Sequence, residues 1–295
     1  MKTAPYQTSP IKRQRRSKAD LAELLDAAKK IIDGEESQIT IRHLFYRLVS
    51  IGAIEKTQQE YHRLCHLLTV WRRSGDIEWS AFSDNTRWRY GAETFDSVQE
   101  ALRNTVQTYR KNLWSQQDHY VEAWCEKDAI ASILLSVADD FGVKVFPFRG
   151  FASLSSLFVA ADTFKRMERA GKECHIFYFG DHDPSGVLIE PVAQRSLQKD
   201  FGVTIDIERV AVTVAQIEQY KLPTRPTKKS DSRSRTFKGE SVEVDAMSPR
   251  VLRQITQQCI TQYIDAKVWA QMQRTEELEK ASLEEVLETF QGGAA

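Results

Sequence analysis

The sequence predicts a mixed α/β chain. A helical unit comes first, then a parallel sheet with helices on both faces, then closing helices. Three observations carry this. The first 75 or so residues hold apolar positions at helical spacing between capping residues. From about residue 120, short β-type runs alternate with helical stretches, the pattern of a parallel sheet. Within that half, His175 to Phe179 is almost wholly apolar, as a strand buried on both faces must be.

The elements follow in order. Residues 1–17 are polar and basic, with Pro5 and Pro10, and are predicted to be a disordered arm. Ser17 caps a helix from Lys18 to Ile32, with Leu21, Leu24, Leu25 and Ala28 on one face and Gly34 as its stop. Thr40 opens a second helix through Ser50, ended by Gly52. A third runs from Thr57 to Arg73 with Tyr61, Leu64, Leu67, Leu68 and Trp71, followed by a Ser74-Gly75-Asp76 turn. Three short helices followed by Ile77-Glu78-Trp79 resemble a helix-turn-helix unit with a small wing, over residues 18–90. Small helical cores without a nucleic-acid role share that pattern. A polar segment of mixed helical signal, residues 91–117, serves as a linker.

The second unit spans 118–295. Its expected strands are Tyr120 to Cys125, Val143 to Phe148, His175 to Phe179 and Val203 to Val212. Its expected helices are Lys127 to Asp140, Ser153 to Ala170 and Ser185 to Asp200. A Pro- and Lys-rich loop, 222–238, precedes helices from Pro249 to Phe290, where proline in the first turn after Ser248 supports the start. No internal repeat or low-complexity tract interrupts the chain.

Composition narrows the function classes. The chain has 295 residues, 41% hydrophobic and 28% charged, with 13 Gly and 8 Pro, which is globular composition. No apolar run approaches the roughly 20 residues of a membrane span. The basic N-terminus lacks an apolar segment behind it, so a cytoplasmic location is expected. The four cysteines, Cys65, Cys125, Cys174 and Cys259, form no C-x-x-C pair and are expected to be reduced. A zinc site built from them is not expected, and His62, Cys65 and His66 are assigned to packing or solvent.

Charge balances at 41 basic and 41 acidic residues but is unevenly placed. Lys12, Arg13, Arg15, Arg16 and Lys18 form one basic stretch, and Arg225, Lys228, Lys229, Arg233, Arg235 and Lys238 another. Residues Glu276 to Glu288 are acidic. Such asymmetry is compatible with an anionic ligand, but charge alone favours a solvated arm, a solvated loop and a solvated helix.

In an open parallel sheet, ligands sit beyond the carboxyl ends of the strands. Two such ends carry acids here. One is Glu126, in Trp124-Cys125-Glu126-Lys127-Asp128. The other is Gly180-Asp181-His182-Asp183-Pro184-Ser185-Gly186. Glu126, Asp181 and Asp183 together offer hard oxygen ligands suited to magnesium, which can neutralise charge at a phosphodiester. Taken singly, Asp181 or Asp183 can be a helix cap, and Glu126 a surface acid. Gly180 and Gly186 are read as letting the backbone turn tightly. Glu243 and Asp245 alternate with valines off one strand face, and surface or salt-bridge roles are expected for them ahead of metal ligation. The loop from Pro223 to Lys238 has the composition of a phosphate-contacting segment, or of an exposed solvated one.

These residues resemble the Toprim fold, in which a Glu after the first strand and an Asp-x-Asp after a later one bind magnesium. Asp181-His182-Asp183-Pro184-Ser185-Gly186 and Glu126-Lys127-Asp128-Ala129 are similar to stretches of the topoisomerase VI A subunit and its meiotic double-strand-break relatives. Arg149-Gly150-Phe151-Ala152-Ser153 falls where that family has a Gly-aromatic motif. The family carries its nucleophilic tyrosine in a winged-helix domain, in an Arg-x-hydrophobic-aromatic-Tyr motif, and Arg42-His43-Leu44-Phe45-Tyr46 matches it. By helical spacing, Ile41, Leu44, Phe45, Leu48 and Val49 form an apolar arc, and Tyr46 lies roughly 130° from its centre. Tyr46 is thus expected to face outward, with Arg42 one turn before it to hold a phosphate or favour the phenolate. An ordinary surface tyrosine stacked under Arg42 has the same pattern.

The resemblance covers roughly residues 20–90 and 118–220. It implies a magnesium-assisted DNA transesterase with Tyr46 as nucleophile and a phosphotyrosyl break in double-stranded DNA. It also implies a homodimer in which Tyr46 of one protomer meets the other's metal, and a separate ATPase partner. His43 departs from the acidic residue common in the tyrosine motif. No Walker motif is present, so the chain alone is not expected to be a complete topoisomerase, and it is closer to compact stand-alone members. It is also similar to the Toprim nuclease subunit of plasmid-restricting condensin-like systems. Two alternatives stand beside the transesterase: a hydrolytic metal-dependent nuclease with Tyr46 idle, and a non-catalytic DNA-binding or assembly protein.

Overall fold

A computed structural model describes residues 16–35, 38–82, 92–226, 237 and 239–292. Lys12, Arg13 and Arg15 of the basic arm lie outside the described residues, as do Lys228, Lys229, Arg233, Arg235 and Lys238 of the second basic stretch.

Helix caps set the start of each helix in the N-terminal unit. In α1 (Lys18–Asp33), the Ser17 hydroxyl accepts from the Asp20 N–H at 3.1 Å, and the Asp20 carboxylate accepts from the Ser17 N–H at 2.8 Å. Thr40 caps α2 (Ile41–Ser50) and Thr57 caps α3 (Gln58–Arg73) through the hydroxyl alone, which accepts from the His43 and Glu60 N–H groups respectively. Leu24, Ala28, Leu44, Phe45, Leu48, Leu64, Leu68 and Trp71 make the shared core. The wing expected at Ile77-Glu78-Trp79 is not a strand. The chain makes a short 3₁₀ turn at Trp79–Ala81 and a single parallel bridge between Ile39 and Phe82. Arg72 explains the departure: its guanidinium lies 4.3 Å from the Trp79 ring centroid and donates to the Trp79 carbonyl, tying the segment to the end of α3.

After α4 (Val98–Thr108) the chain enters a four-stranded, wholly parallel sheet in the order β2-β1-β3-β4. The strands are β1 (His119–Cys125), β2 (Lys144–Pro147), β3 (Glu173–Phe179) and β4 (Ile207–Ala211). Helices α5 (Asp128–Ala138), α6 (Leu154–Arg169) and α7 (Gly186–Phe201) make the crossovers. One sheet face presents Val121, Ala123, Cys125, Phe177 and Phe179 to α5 and to α9 (Pro249–Thr261), in a core continuous with that of the helical unit. The other presents Trp124, Ile176 and Tyr178 to Leu157 and Phe164 of α6 and to Ile189, Ala193 and Leu197 of α7. The expected α/β sheet covered on both sides is therefore present.

Three details differ from the sequence reading. β4 is shorter than expected, because Val203 and Ile205 are buried against the second core without joining the ladder. A short helix, α8 (Val214–Gln219), follows it, started by a Thr213–Gln216 capping box whose Thr-x-x-Gln signal was in the sequence. The last helix, α10 (Ala266–Gly292), is not merely solvated. Its Glu279 accepts from the Tyr109 hydroxyl at 2.5 Å and pairs with Lys111 at 2.6 Å, so the linker docks onto it. Among the described residues no helix is long and apolar enough to cross a membrane.

Candidate active site at the carboxyl ends of the strands

β1 and β3 end side by side, and their acids follow at once. The Glu126 N–H donates to the Phe179 carbonyl at 2.9 Å, and the Asp181 N–H donates to Glu126 Oε2 at 2.8 Å. Asp183 Oδ1 accepts from the N–H groups of Ser185 and Gly186 at 3.0 and 2.7 Å, so Asp183 caps the entry to α7. Its other oxygen faces Arg225 at 3.6 Å. Neither Gly180 nor Gly186 has a positive φ, so tight turning is not the reason for glycine. Space is: a Cβ on Gly186 would lie 2.3 Å from the Asp181 carbonyl oxygen. Gly186→Ala is expected to cost about 1–3 kcal/mol, the usual range for overpacking. Urea unfolding checks this, and an unchanged midpoint would mean that the Asp181 backbone can yield.

A second pair of acids joins the first. The backbone of Ser241 pairs with Arg225, and that of Val242 with His182, each in both directions. The chain then makes a 3₁₀ turn, Val244–Ala246, whose Val244 N–H donates to Asp181 Oδ1 at 2.9 Å. Glu243 and Asp245 are consequently buried, at 4% and 1% exposure, and not on a strand face or at the surface. The salt-bridge role expected for them holds. The Lys127 ammonium lies 2.8 Å from Asp181, 3.0 Å from Asp245 and 3.3 Å from Glu243. Arg42 pairs with Glu243 and approaches Asp245 at 3.6 Å, and Arg225 reaches Glu243 at 2.9 Å.

Tyr46 belongs to this cluster, and it does not face outward. It is 4% exposed. The helical wheel placed it correctly opposite the first core, but that side of α2 is covered by the 241–246 segment, so α2 is buried from both directions. His43 is buried for the same reason. Tyr46 lines a cleft with Glu243, its ring meets Phe45 edge-on at 5.3 Å, and the Lys56 ammonium lies 5.4 Å from the ring centroid. A cleft of about 140 Å³ opens here, lined by Arg42, Tyr46, Lys56, Tyr61, Arg225 and Glu243.

The electrostatics divide the cluster. Burial alone would raise the Glu243 carboxyl, but Lys127 and Arg42 override it and hold it down at about 2. Asp245 is lowered likewise, against its burial, by Lys127, His43 and Arg42. Glu126 goes the other way: burial, then the neighbouring Asp181, push it up to about 7. Asp181 is raised by burial in spite of Lys127. Burial and Glu243 raise the Tyr46 phenol, outweighing Arg42.

No family model, curated protein or solved structure matches this chain.

The carboxylates Glu126, Asp181 and Asp183 are neighbours, but their oxygens do not all lie within 4.8 Å of one another. Each is held by groups of the protein: a backbone N–H, the Lys127 ammonium and the start of α7. The donor set nevertheless fits a hard divalent cation. Burial raises the Glu126 and Asp181 carboxyls, so a cation would stabilise their charged forms, and Asp245 Oδ1 is buried without a hydrogen-bond partner. Sequence reasoning missed Lys127, which stood in a quoted motif without a role. It also missed the inward direction of Glu243 and Asp245, although acids alternating with valines were the available signal. His62 and His66 are exposed and Cys65 is half-buried, as assigned.

Proposed function

We propose that this chain cleaves double-stranded DNA at the carboxyl ends of β1 and β3, with Tyr46 as the nucleophile, in the manner of the topoisomerase VI A subunit that its motifs resemble. The observation that carries the reading is the ion network from Arg42 through Glu243 and Lys127 to Asp181, with Tyr46 lining the same cleft as Arg42 and Glu243. It joins the tyrosine motif to the acidic motifs, which are far apart in sequence.

Glu126, Asp181 and Asp183 would hold magnesium, which when bound neutralises charge on the scissile phosphate. The rest falls to the protein's own groups. Lys56, Arg42 and Arg225 line the cleft beside Tyr46 and receive the phosphate. A phosphate there competes with Glu243 for Arg42 and Arg225. Attack by the Tyr46 oxygen on phosphorus forms the phosphotyrosyl bond and releases a deoxyribose hydroxyl. The winged-helix and Toprim arrangement, a second copy of the chain and a separate ATPase subunit are parts of the same proposal.

One observation favours a second reading. Tyr46 is buried and its phenol is harder to ionise than a free one, which suits a hydrolytic nuclease with Tyr46 as a packing residue. A single experiment separates the readings. Supercoiled plasmid, protein and magnesium are incubated, stopped with detergent, and run with and without protease. Tyr46→Phe and Asp181→Asn proteins, checked for folding by circular dichroism, run alongside. Protein-linked breaks that fall by at least about 100-fold in both variants are expected. Protein-free breaks that survive Tyr46→Phe but not Asp181→Asn would establish hydrolysis. Binding without any cleavage by the folded wild type would overturn both.

A further inference from the structure

The amino ends of the same strands hold a cluster that the cleavage reading does not use. His119 opens β1 and Glu173 opens β3, directly opposite each other in the ladder, and His175 follows two residues later on the same face. His119 Nδ1 lies 3.1 Å from His175 Nε2 and 3.5 Å from Glu173 Oε2, and His175 Nε2 lies 4.0 Å from that oxygen. It is the one group of His, Cys, Asp and Glu among the described residues whose ligand atoms all lie within 4.8 Å of one another.

We propose that His119, Glu173 and His175 bind one first-row transition cation, zinc by preference. Tetrahedral zinc with bonds of about 2.0–2.1 Å sets its ligand atoms about 3.4 Å apart, and the three separations bracket that value. The two imidazoles are borderline ligands that favour zinc over magnesium, and zinc accepts the carboxylate as well. The strand ladder fixes the three Cβ positions before any ion arrives. The Tyr263 ring stacks on His175 at 3.8 Å and 23°, and meets His119 edge-on at 5.0 Å, so it holds both rings in place.

The charges around the cluster agree. Lys172, the nearest lysine in sequence, turns its ammonium to the carbonyls of Trp114, Ser115 and Gln117 and does not compete. Glu208 faces Tyr263 and adds negative charge on the same side. A groove of about 380 Å³, lined in part by Glu173, His175, Glu208 and Tyr263, leaves room for a solvent molecule as fourth ligand. The cluster lies one strand length, about 20 Å, from the acids at the carboxyl ends. The proposal therefore stands whether or not the chain cleaves DNA.

The test uses the full chain, stripped with a chelator and kept in excess magnesium. Zinc bound per chain is measured by equilibrium dialysis, and cobalt substitution is read by visible absorption. The expected result is one zinc per chain and a tetrahedral cobalt spectrum. Affinity should fall at least about tenfold in His119→Gln, His175→Gln and Glu173→Gln, and stay unchanged in Asp181→Asn. Glu173 is 70% exposed, so its variant keeps the test decisive if a histidine variant fails to fold. No zinc binding, or binding that these three variants leave intact, would overturn the proposal.

Discussion

Replacing Lys127 by methionine is expected to lower the stability of this protein by about 3–5 kcal/mol, the range for breaking a buried ionic group from one side. The ammonium contacts three carboxylates, and two of them, Glu243 and Asp245, are almost wholly buried. Arg42 remains for Glu243 and Asp245, but Asp181 keeps only its backbone donor from Val244. Methionine preserves most of the side-chain volume, so the loss reports charge more than packing. The sign with pH follows. Glu243 and Asp245 lie below the ordinary carboxylate range in the wild type, so their contribution is present above that range and is lost as pH falls through the lowered values. Without Lys127 these acids can be protonated at higher pH, and the gap between variant and wild type narrows on acidification. Urea unfolding at neutral and mildly acidic pH measures it. A cost below about 1 kcal/mol would place these carboxylates in water, as for a surface pair.

Glu126→Gln is expected to act in the opposite direction. Glu126 has its folded-state carboxyl raised to about 7, so it favours folding below its ordinary range and loses that contribution as pH rises through the raised value. At 1.36 kcal/mol per pH unit, the charged form costs roughly 3 kcal/mol once ionised. Glutamine carries no charge and still offers an oxygen to the Asp181 N–H. The metal-free variant should therefore unfold later than wild type at roughly pH 8, with the advantage shrinking toward roughly pH 5. Magnesium should raise the wild-type midpoint at the higher pH and leave the variant unmoved. A variant no more stable than wild type in alkali would show that Glu126 does not carry this strain, and one still stabilised by magnesium would show that it does not hold the ion.

What the sequence made legible was local. Ser17, Thr40, Thr57 and Ser248 each start a helix where their spacing said they should, because a cap acts within one turn. The alternation after residue 118 gave a parallel sheet, because strand burial is written in consecutive residues. Glu126 and Asp181 meet because both directly follow paired strands. Whatever depends on a distant partner was hidden. The polar side of α2 gives no hint that residues 241–246 cover it, so Tyr46 read as exposed. His119 and His175 meet through ladder register, which no local pattern encodes. Gly186 was credited with turning when its reason is the carbonyl beside it.

The backbone pairing between Arg225 and Ser241 has one more consequence. Two hydrogen bonds of 2.9 Å close the chain on itself there, on either side of a stretch rich in lysine and arginine. The excursion starts and returns at one anchored point, and Glu243 and Asp245 take their bearings from that anchor. The two antiparallel pairs, Arg225–Ser241 and His182–Val242, therefore set the backbone register that Glu243 and Asp245 follow. Register is thus what aims these acids: one residue inserted or deleted between Ser241 and Glu243 would turn both carboxylates away from Lys127.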